Sequence, residues 1–501
     1  MNRSPFSRLL LVPAATSILF VLMSACTVPL APQYQIVKQT FEIRFVSGAN
    51  PEVRIHNVYT LQNTGTADLD FIDVVFPATK IYGRTNLSVQ SGGHTLTPAE
   101  LPLEYQQDSP GALRLHFESG WSQKEKRDLV VDYSFSAPQA GGQEFALGPQ
   151  TFHLGARGWL PVFLPPNHIL AATPARPEKL SYTVRVPSDF TLLARGSGAS
   201  RKQDGSDTIY RFDLDQRDLG PYVVAGRYTP SNQSNKSPDA VFWTLKNLPQ
   251  NSVLQPNRLA MAWSVLQKNF GEIDKRTRAP YIVEAPTLEA DNNSSGDAAF
   301  AAFPGGVLIN SAALGLGADN EIFTERVERG LARTWFDDAL QPAPFAALAL
   351  GDGLPAYATI VIDEAAGGDT ARRKRIAILL NSYDDAHNRL KTPEKSVVAT
   401  LPTDPVEQRR IAEAKAPLLF VALEDTYGAA PVRAGLAQAI ELLRGKEASV
   451  NDIRAAIEYA TGKNLAEPFR DWLYNPGIPS DFRAHYGSTA ENAKEESKNG
   501  S

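Results

Sequence analysis

The hydrophobic pattern of this chain changes period once, and that change limits the fold more than any single residue does. From residue 35 to about 230, apolar and polar residues alternate between turn residues, as in "FEIRFV" (41–46), "LDFIDVVF" (69–76), "LVVDYSF" (129–135), "LSYTVRV" (180–186), "TIYRFDL" (208–214) and "YVVAGRY" (222–228). Period-two alternation puts every second side chain on one face, which is the pattern of half-buried strands. It predicts an all-β domain over 41–234. The stretch "SNQSNKSPD" (231–239) is polar and without period. Beyond it, over 235–480, long helical segments such as "NRLAMAWSVLQKNFG" surround two strand-like pieces, "PYIVEA" and "GGVLINS". The expected class is therefore α+β and multidomain, a β domain followed by a largely helical α/β domain.

Composition narrows the function. With 501 residues, 43% hydrophobic and 21% charged, the chain has room for two or three domains with cores. A formal net charge of -5 supplies no basic field, which excludes nucleic acid as the expected partner. The one cysteine, Cys26, can form no intramolecular disulfide, and no Cys/His cluster has zinc-finger spacing. Cys26 follows a basic start (Arg3, Arg8), an apolar run from Leu9 to Met23 broken at Pro13, and the small residues Ser24 and Ala25. That order reads as an export signal over 1–25, and "LMSAC" resembles a bacterial lipobox. The expectation is lipidation at Cys26, a tether over 26–40 and an extracytoplasmic protein anchored to a bacterial cell membrane. An uncleaved anchor helix, or a plain secretory signal with an incidental cysteine, is the alternative. The polar end, 481–501, is expected to be a disordered tail.

The helix expected at 320–338 carries the most informative stretch, "VERGLARTWF" (327–336). Asp319 or Asn320 can cap its start, Glu321 suits its dipole, and Phe323, Val327 and Leu331 form a buried stripe. Arg329 and Arg333, four apart, share a face, and Gly330 costs about 1 kcal/mol against alanine inside a helix. That cost fits either relaxed selection or a close approach by another element. Helical spacing alone would leave both arginines on a solvated face, partnered by Glu325 and Glu328.

These residues resemble the membrane alanyl aminopeptidase family, zinc peptidases of the gluzincin group. Its signature is H-E-x-x-H-x-W-[FY], followed after eighteen residues by the metal-binding glutamate of N-E-G-[FL]-A-x-Y. Here "RGLARTWF" (329–336) precedes "GDGLPAYAT" (351–359), and eighteen residues separate Arg333 from Asp352. "AAFPGGVLIN" (301–310) is similar to the family's substrate strand, "AEAKAPLLFVALEDTYG" (412–428) to the helix that begins Y-x-K-G-[AP]-L, and "FRDWLYNPGIP" (469–479) to the end of the catalytic domain. "ARGWLPVFLPPN" (156–167) and "DLGPYVVAGRYTP" look like the close of the family's β domain, so the likeness spans about 35 to 480. It implies a saddle-like β domain followed by a thermolysin-like domain.

The likeness also implies a lost site. At the histidine positions stand Arg329 and Arg333, guanidinium groups that carry no lone pair for a cation. The third ligand position holds Asp352, the general base position holds Gly330, the amine-binding glutamate becomes Ala302, and the transition-state tyrosine becomes Glu413. All seven histidines (56, 94, 116, 153, 168, 387 and 485) lie outside 317–360, so no shifted motif supplies imidazoles. The expectation is no zinc and no intact catalytic residue, with Arg329, Arg333 and Asp352, joined by Glu413, filling the space of the metal. The leading reading is a lipid-anchored pseudopeptidase that retains peptide or protein binding. Two others stand beside it: a hydrolase using carboxylates such as Asp337, Asp338 and Asp352 around another metal, and a structural envelope protein.

Overall fold

A computed structural model describes residues 33–487 except 76–83, 101–111, 137–144, 156–158, 165–176, 215–220, 232–240, 246–255, 273–280, 287, 289–299, 304, 315–320 and 402–403. Cys26, Asp319, Asn320 and the side chains of Phe323, Asp337 and Asp338 lie outside what is described. No helix among the described residues is long and apolar enough to cross a membrane.

The alternating half forms β sheets. Tyr34–Val46 sits at the centre of an eight-stranded sheet, antiparallel to Glu52–Asn63 on one side and parallel to Lys179–Pro187 on the other. Its period-two pattern is realised directly: Phe41, Ile43 and Phe45 are buried while Glu42 and Arg44 face solvent. Phe41 stacks on Tyr182 at 5.0 Å between ring centroids and meets Trp159 edge-on at 5.4 Å. Two four-stranded sheets, one around Val223–Gly226 and one around Leu69–Val75, complete this domain and share its core.

The second half is built on a five-stranded mixed sheet ordered Thr229–Ser231, Val241–Thr244, Tyr281–Glu284, Gly306–Ile309, Phe300–Phe303. Against its Phe300–Phe303 and Gly306–Ile309 strands packs the helix Glu321–Arg333, and the helices Pro256–Phe270, Leu354–Arg389, Val406–Tyr427, Ala429–Leu443 and Val450–Thr461 pack with it and with one another around a single core. Trp335 and Phe336, fully buried, meet Trp263 and Phe270 edge-on, each at 4.9 Å. The 450–461 helix starts on a capping box made by Ser449 and Asp452 and stops at Gly462 in the left-handed conformation, φ 65°.

Three boundaries shift from their expected places. Tyr34 to Thr40 belong to the central strand rather than to a tether, because Tyr34 and Ile36 are buried. Thr229–Ser231 pairs with Val241–Thr244, so the helical domain's sheet begins before residue 235. Residues 480–487 are helical rather than tail: Phe482 packs on Trp472, and the Tyr486 hydroxyl donates to Asp425 at 2.8 Å.

Candidate functional site

The signature helix is α-helical over Glu321–Arg333 and continues as a π-helix over Thr334–Asp338. Asp352 lies in a second π-helical segment, Ala347–Gly353, which runs into the Leu354–Arg389 helix. π-turns inside helices are frequent at functional sites. One follows Arg333 directly, one contains Asp352, and a third lies at Arg470–Tyr474.

Two glycines set how closely the surrounding elements approach. A Cβ built on Gly330 would stand 2.9 Å from Val307 Cγ2, so the helix lies directly on the Gly306–Ile309 strand. The valine is β-branched and its χ1 is stiff, so it cannot swing aside at low cost. Of the two readings of Gly330, close approach is the one the packing favours. A Cβ on Gly353 would stand 2.6 Å from Ala416 Cβ, which brings the Val406–Tyr427 helix, with Glu413 on it, against the Asp352 segment.

Arg333 and Asp352 form an ion pair, with 34% and 27% of their side chains exposed. Arg329 turns elsewhere: its Nε donates to Glu325 Oε1 at 2.7 Å, one helical turn back, and 31% of its side chain remains exposed. Desolvation pulls the Arg329 guanidinium down, but the charge and hydrogen bond of Glu325 and the charge of Glu413 outweigh it and raise its pKa. The structure thus brings Arg333 to Asp352, and the charges of Glu413 and Arg333 both act on Arg329; the hydrogen bond of Arg329 goes to Glu325, and both ion pairs are partly solvated. Glu325 captures Arg329 because a partner four residues away on the same helix needs no tertiary alignment. Ala302 sits on the edge strand Phe300–Phe303, opposite Val307, and its side chain offers no acceptor.

Glu328, which helical spacing alone would leave on a solvated face beside the arginines, faces the other way. It is fully buried and takes both ends of Arg258, at 2.5 and 3.1 Å. Arg258 also donates to Asp363 at 2.8 Å, and Asp363 accepts from Arg375 Nε at 2.8 Å. Burial pushes the Glu328 carboxyl up to about 7 against the pull of Arg258. Sequence reasoning missed Arg258 altogether. It lies seventy residues from Glu328 and no local spacing links the two. Thr334 was also missed: its Oγ1 accepts from the Gly305 N–H at 3.1 Å and ties the strand hairpin to the signature helix.

Among the described residues, no group of three or more His, Cys, Asp or Glu side chains is placed to hold a metal ion. Farther back, Tyr357 of "GDGLPAYAT" donates to Glu424 at 2.5 Å, and Arg433 Nε reaches the same oxygen at 2.6 Å. Lys415, fully buried, donates to the Asn475 carbonyl at 2.5 Å. Burial pushes its amine down to about 8, with Glu394 opposing.

No family model matches the sequence, and no curated protein matches it. The fold does match solved structures. A mutant M1 zinc metallopeptidase from Deinococcus radiodurans, bound to a Tyr-Ser-Ala substrate, aligns with a TM-score of 0.61 at 15% identity, covering 90% of this chain and 96% of that one. Native yeast LTA4 hydrolase aligns with a TM-score of 0.61 at 14% identity, over 89% of this chain and 69% of that one. Legionella pneumophila aminopeptidase A, in complex with aspartic acid, gives 0.62 at 16%, over 89% of this chain and 50% of that one. This chain has the two-domain fold of the M1 zinc aminopeptidases, as the signature frame anticipated.

Proposed function

We propose that this chain, built on the M1 metallopeptidase fold, is an extracytoplasmic pseudopeptidase: a lipoprotein held to a bacterial membrane at Cys26 that binds a peptide or protein segment without cleaving it. One observation carries the reading. Where the fold family places two imidazoles and a carboxylate, this chain places two guanidinium groups, each held by an acidic partner, Arg329 by Glu325 and Arg333 by Asp352. The residues present do not fit zinc: a protonated guanidinium repels a dication and offers it no lone pair. The base position, Gly330, has no side chain to take a proton from water, and Val307 occupies the space that one would need. Retained binding is the part that rests on shape. The hairpin between the strands Phe300–Phe303 and Gly306–Ile309 is tied to the signature helix through Thr334.

Plasma-emission analysis of the purified full-length protein is expected to find no stoichiometric zinc, and aminoacyl amide reporters are expected to stay intact with or without added zinc. About one zinc per chain with chelator-sensitive hydrolysis would sink the proposal. Membrane attachment is read separately, by mass spectrometry of the mature N-terminus. A diacylglycerol on Cys26 is expected; a mature start elsewhere removes the anchor and leaves the pseudopeptidase reading in place. Rebuilding the family's site requires Arg329→His, Gly330→Glu, Arg333→His and Asp352→Glu, and on this structure also Val307→Ala to admit the new side chain. Zinc binding by the fivefold variant but not by the fourfold one would show that the frame outlived its chemistry.

A further inference from the structure

Away from the cleft, an open groove of about 720 Å³ runs between the C-terminal half of the Val406–Tyr427 helix and the segment from Asn464 to Pro479. Nothing in the vestigial site uses it. Its apolar wall is made by the partly exposed Tyr427, Pro468 and Pro479, backed by the buried Leu423 and Trp472. Leu423 and Trp472 are anchored in the core, the tryptophan edge-on against Phe482 at 5.0 Å, so the wall is rigid. Rigid aromatic and prolyl surfaces fit an extended, proline-bearing segment, whose polyproline II conformation is already low in entropy before it binds.

The rim adds a sign to the shape. Glu467 and Asp471 line the groove, and their side chains are 80% and 49% exposed. Arg470, outside the lining, lies 3.6 Å from the first and 3.3 Å from the second. Among the described residues the two carboxylates share one guanidinium, so the rim beside the apolar wall is acidic. A cation with a hydrocarbon stem, lysine or arginine, is the complementary group.

We propose that this groove is a docking site for an extended, proline-containing basic peptide segment of another protein. It is separate from the cleft and does not depend on the fate of the zinc site.

The test is a fluorescence-anisotropy titration of the full chain with a labelled decapeptide of alternating arginine and proline, beside the same peptide with glutamate in place of arginine. Saturable binding of the basic peptide is expected, weakened at least about tenfold by combined Glu467→Lys and Asp471→Lys and by the glutamate peptide. Both substitutions are at exposed positions, so the fold should survive them, and an unchanged melting temperature checks this. Ala422→Arg, on the wall of the groove, is expected to abolish binding. Absence of binding by the wild-type chain, equal binding by the charge-reversed variant, or a dimer in sedimentation that Ala422→Arg dissolves would each overturn the proposal. The last outcome would make a second copy of the chain the occupant.

Discussion

The signature helix carries acidic and basic residues on two faces, and the two faces have come to opposite arrangements. Toward the cleft, Arg329 and Arg333 meet Glu325 and Asp352 with about a third of each arginine still in water. Toward the core, Glu328 is fully buried under Arg258, which is bound in turn to Asp363. The residue types are the same and only the solvent differs. A buried pair that loses one partner strands a charge, whereas a half-exposed pair lets water replace the partner lost. The helix should therefore tolerate change on the side where the family keeps its chemistry and resist it on the side that sequence spacing assigned to solvent.

Substitutions can break that comparison. The largest effect is expected between the two faces, at Gly330→Glu, which places a carboxylate against Val307 and should cost about 3–5 kcal/mol through overpacking and burial of charge. Thermal unfolding measures it, and adding Val307→Ala should recover part of the loss. No change in melting temperature would mean that the helix does not press on the strand.

Next comes Arg258→Leu, expected to cost about 3 kcal/mol in a urea titration by leaving Glu328 without its guanidinium. The cost should be smaller at pH 6 than at pH 8, because a proton can neutralise the stranded carboxyl. A loss below 1 kcal/mol at pH 8 would place the core face on a par with the cleft face.

The pH dependence of the unaltered protein sharpens the same point. Glu328 titrates at about 7 when folded, above its unfolded value. Its stabilising contribution is therefore complete below the unfolded pKa and is lost as pH rises through about 7. Within that window the slope is at most about 1.4 kcal/mol per pH unit. Glu328→Gln should flatten it; a profile identical to that of the parent would assign the slope to other groups.

The smallest effect is expected on the cleft face. Asp352→Asn should cost under about 1 kcal/mol, because Arg333 keeps access to water, and a double-mutant cycle with Arg333→Gln should give a coupling that shrinks as salt is added. A salt-insensitive coupling of several kcal/mol would show that the pair is sealed, and would restore the buried cluster that the motif spacing suggested.

The sequence by itself determined the elements and the frame of the motif. Period-two and helical spacing are local, so the β half, the helical half and the signature helix could be read without contacts. The kept spacing of the motif pointed to the positions, and the identities of Arg329, Gly330, Arg333 and Asp352 carry the proposal that zinc chemistry is absent. Only the tertiary structure decided what these side chains meet. Whether Arg329 would turn to Asp352 or to Glu325, and whether Glu328 would face water or Arg258, depended on partners brought together from distant segments. The reason for Gly330 was likewise invisible in one dimension, since its neighbour Val307 comes from a strand more than twenty residues away. Periodicity records which face of an element is apolar; it does not record which element arrives there, and burial, which sets the energy of a charge, is fixed only on that arrival.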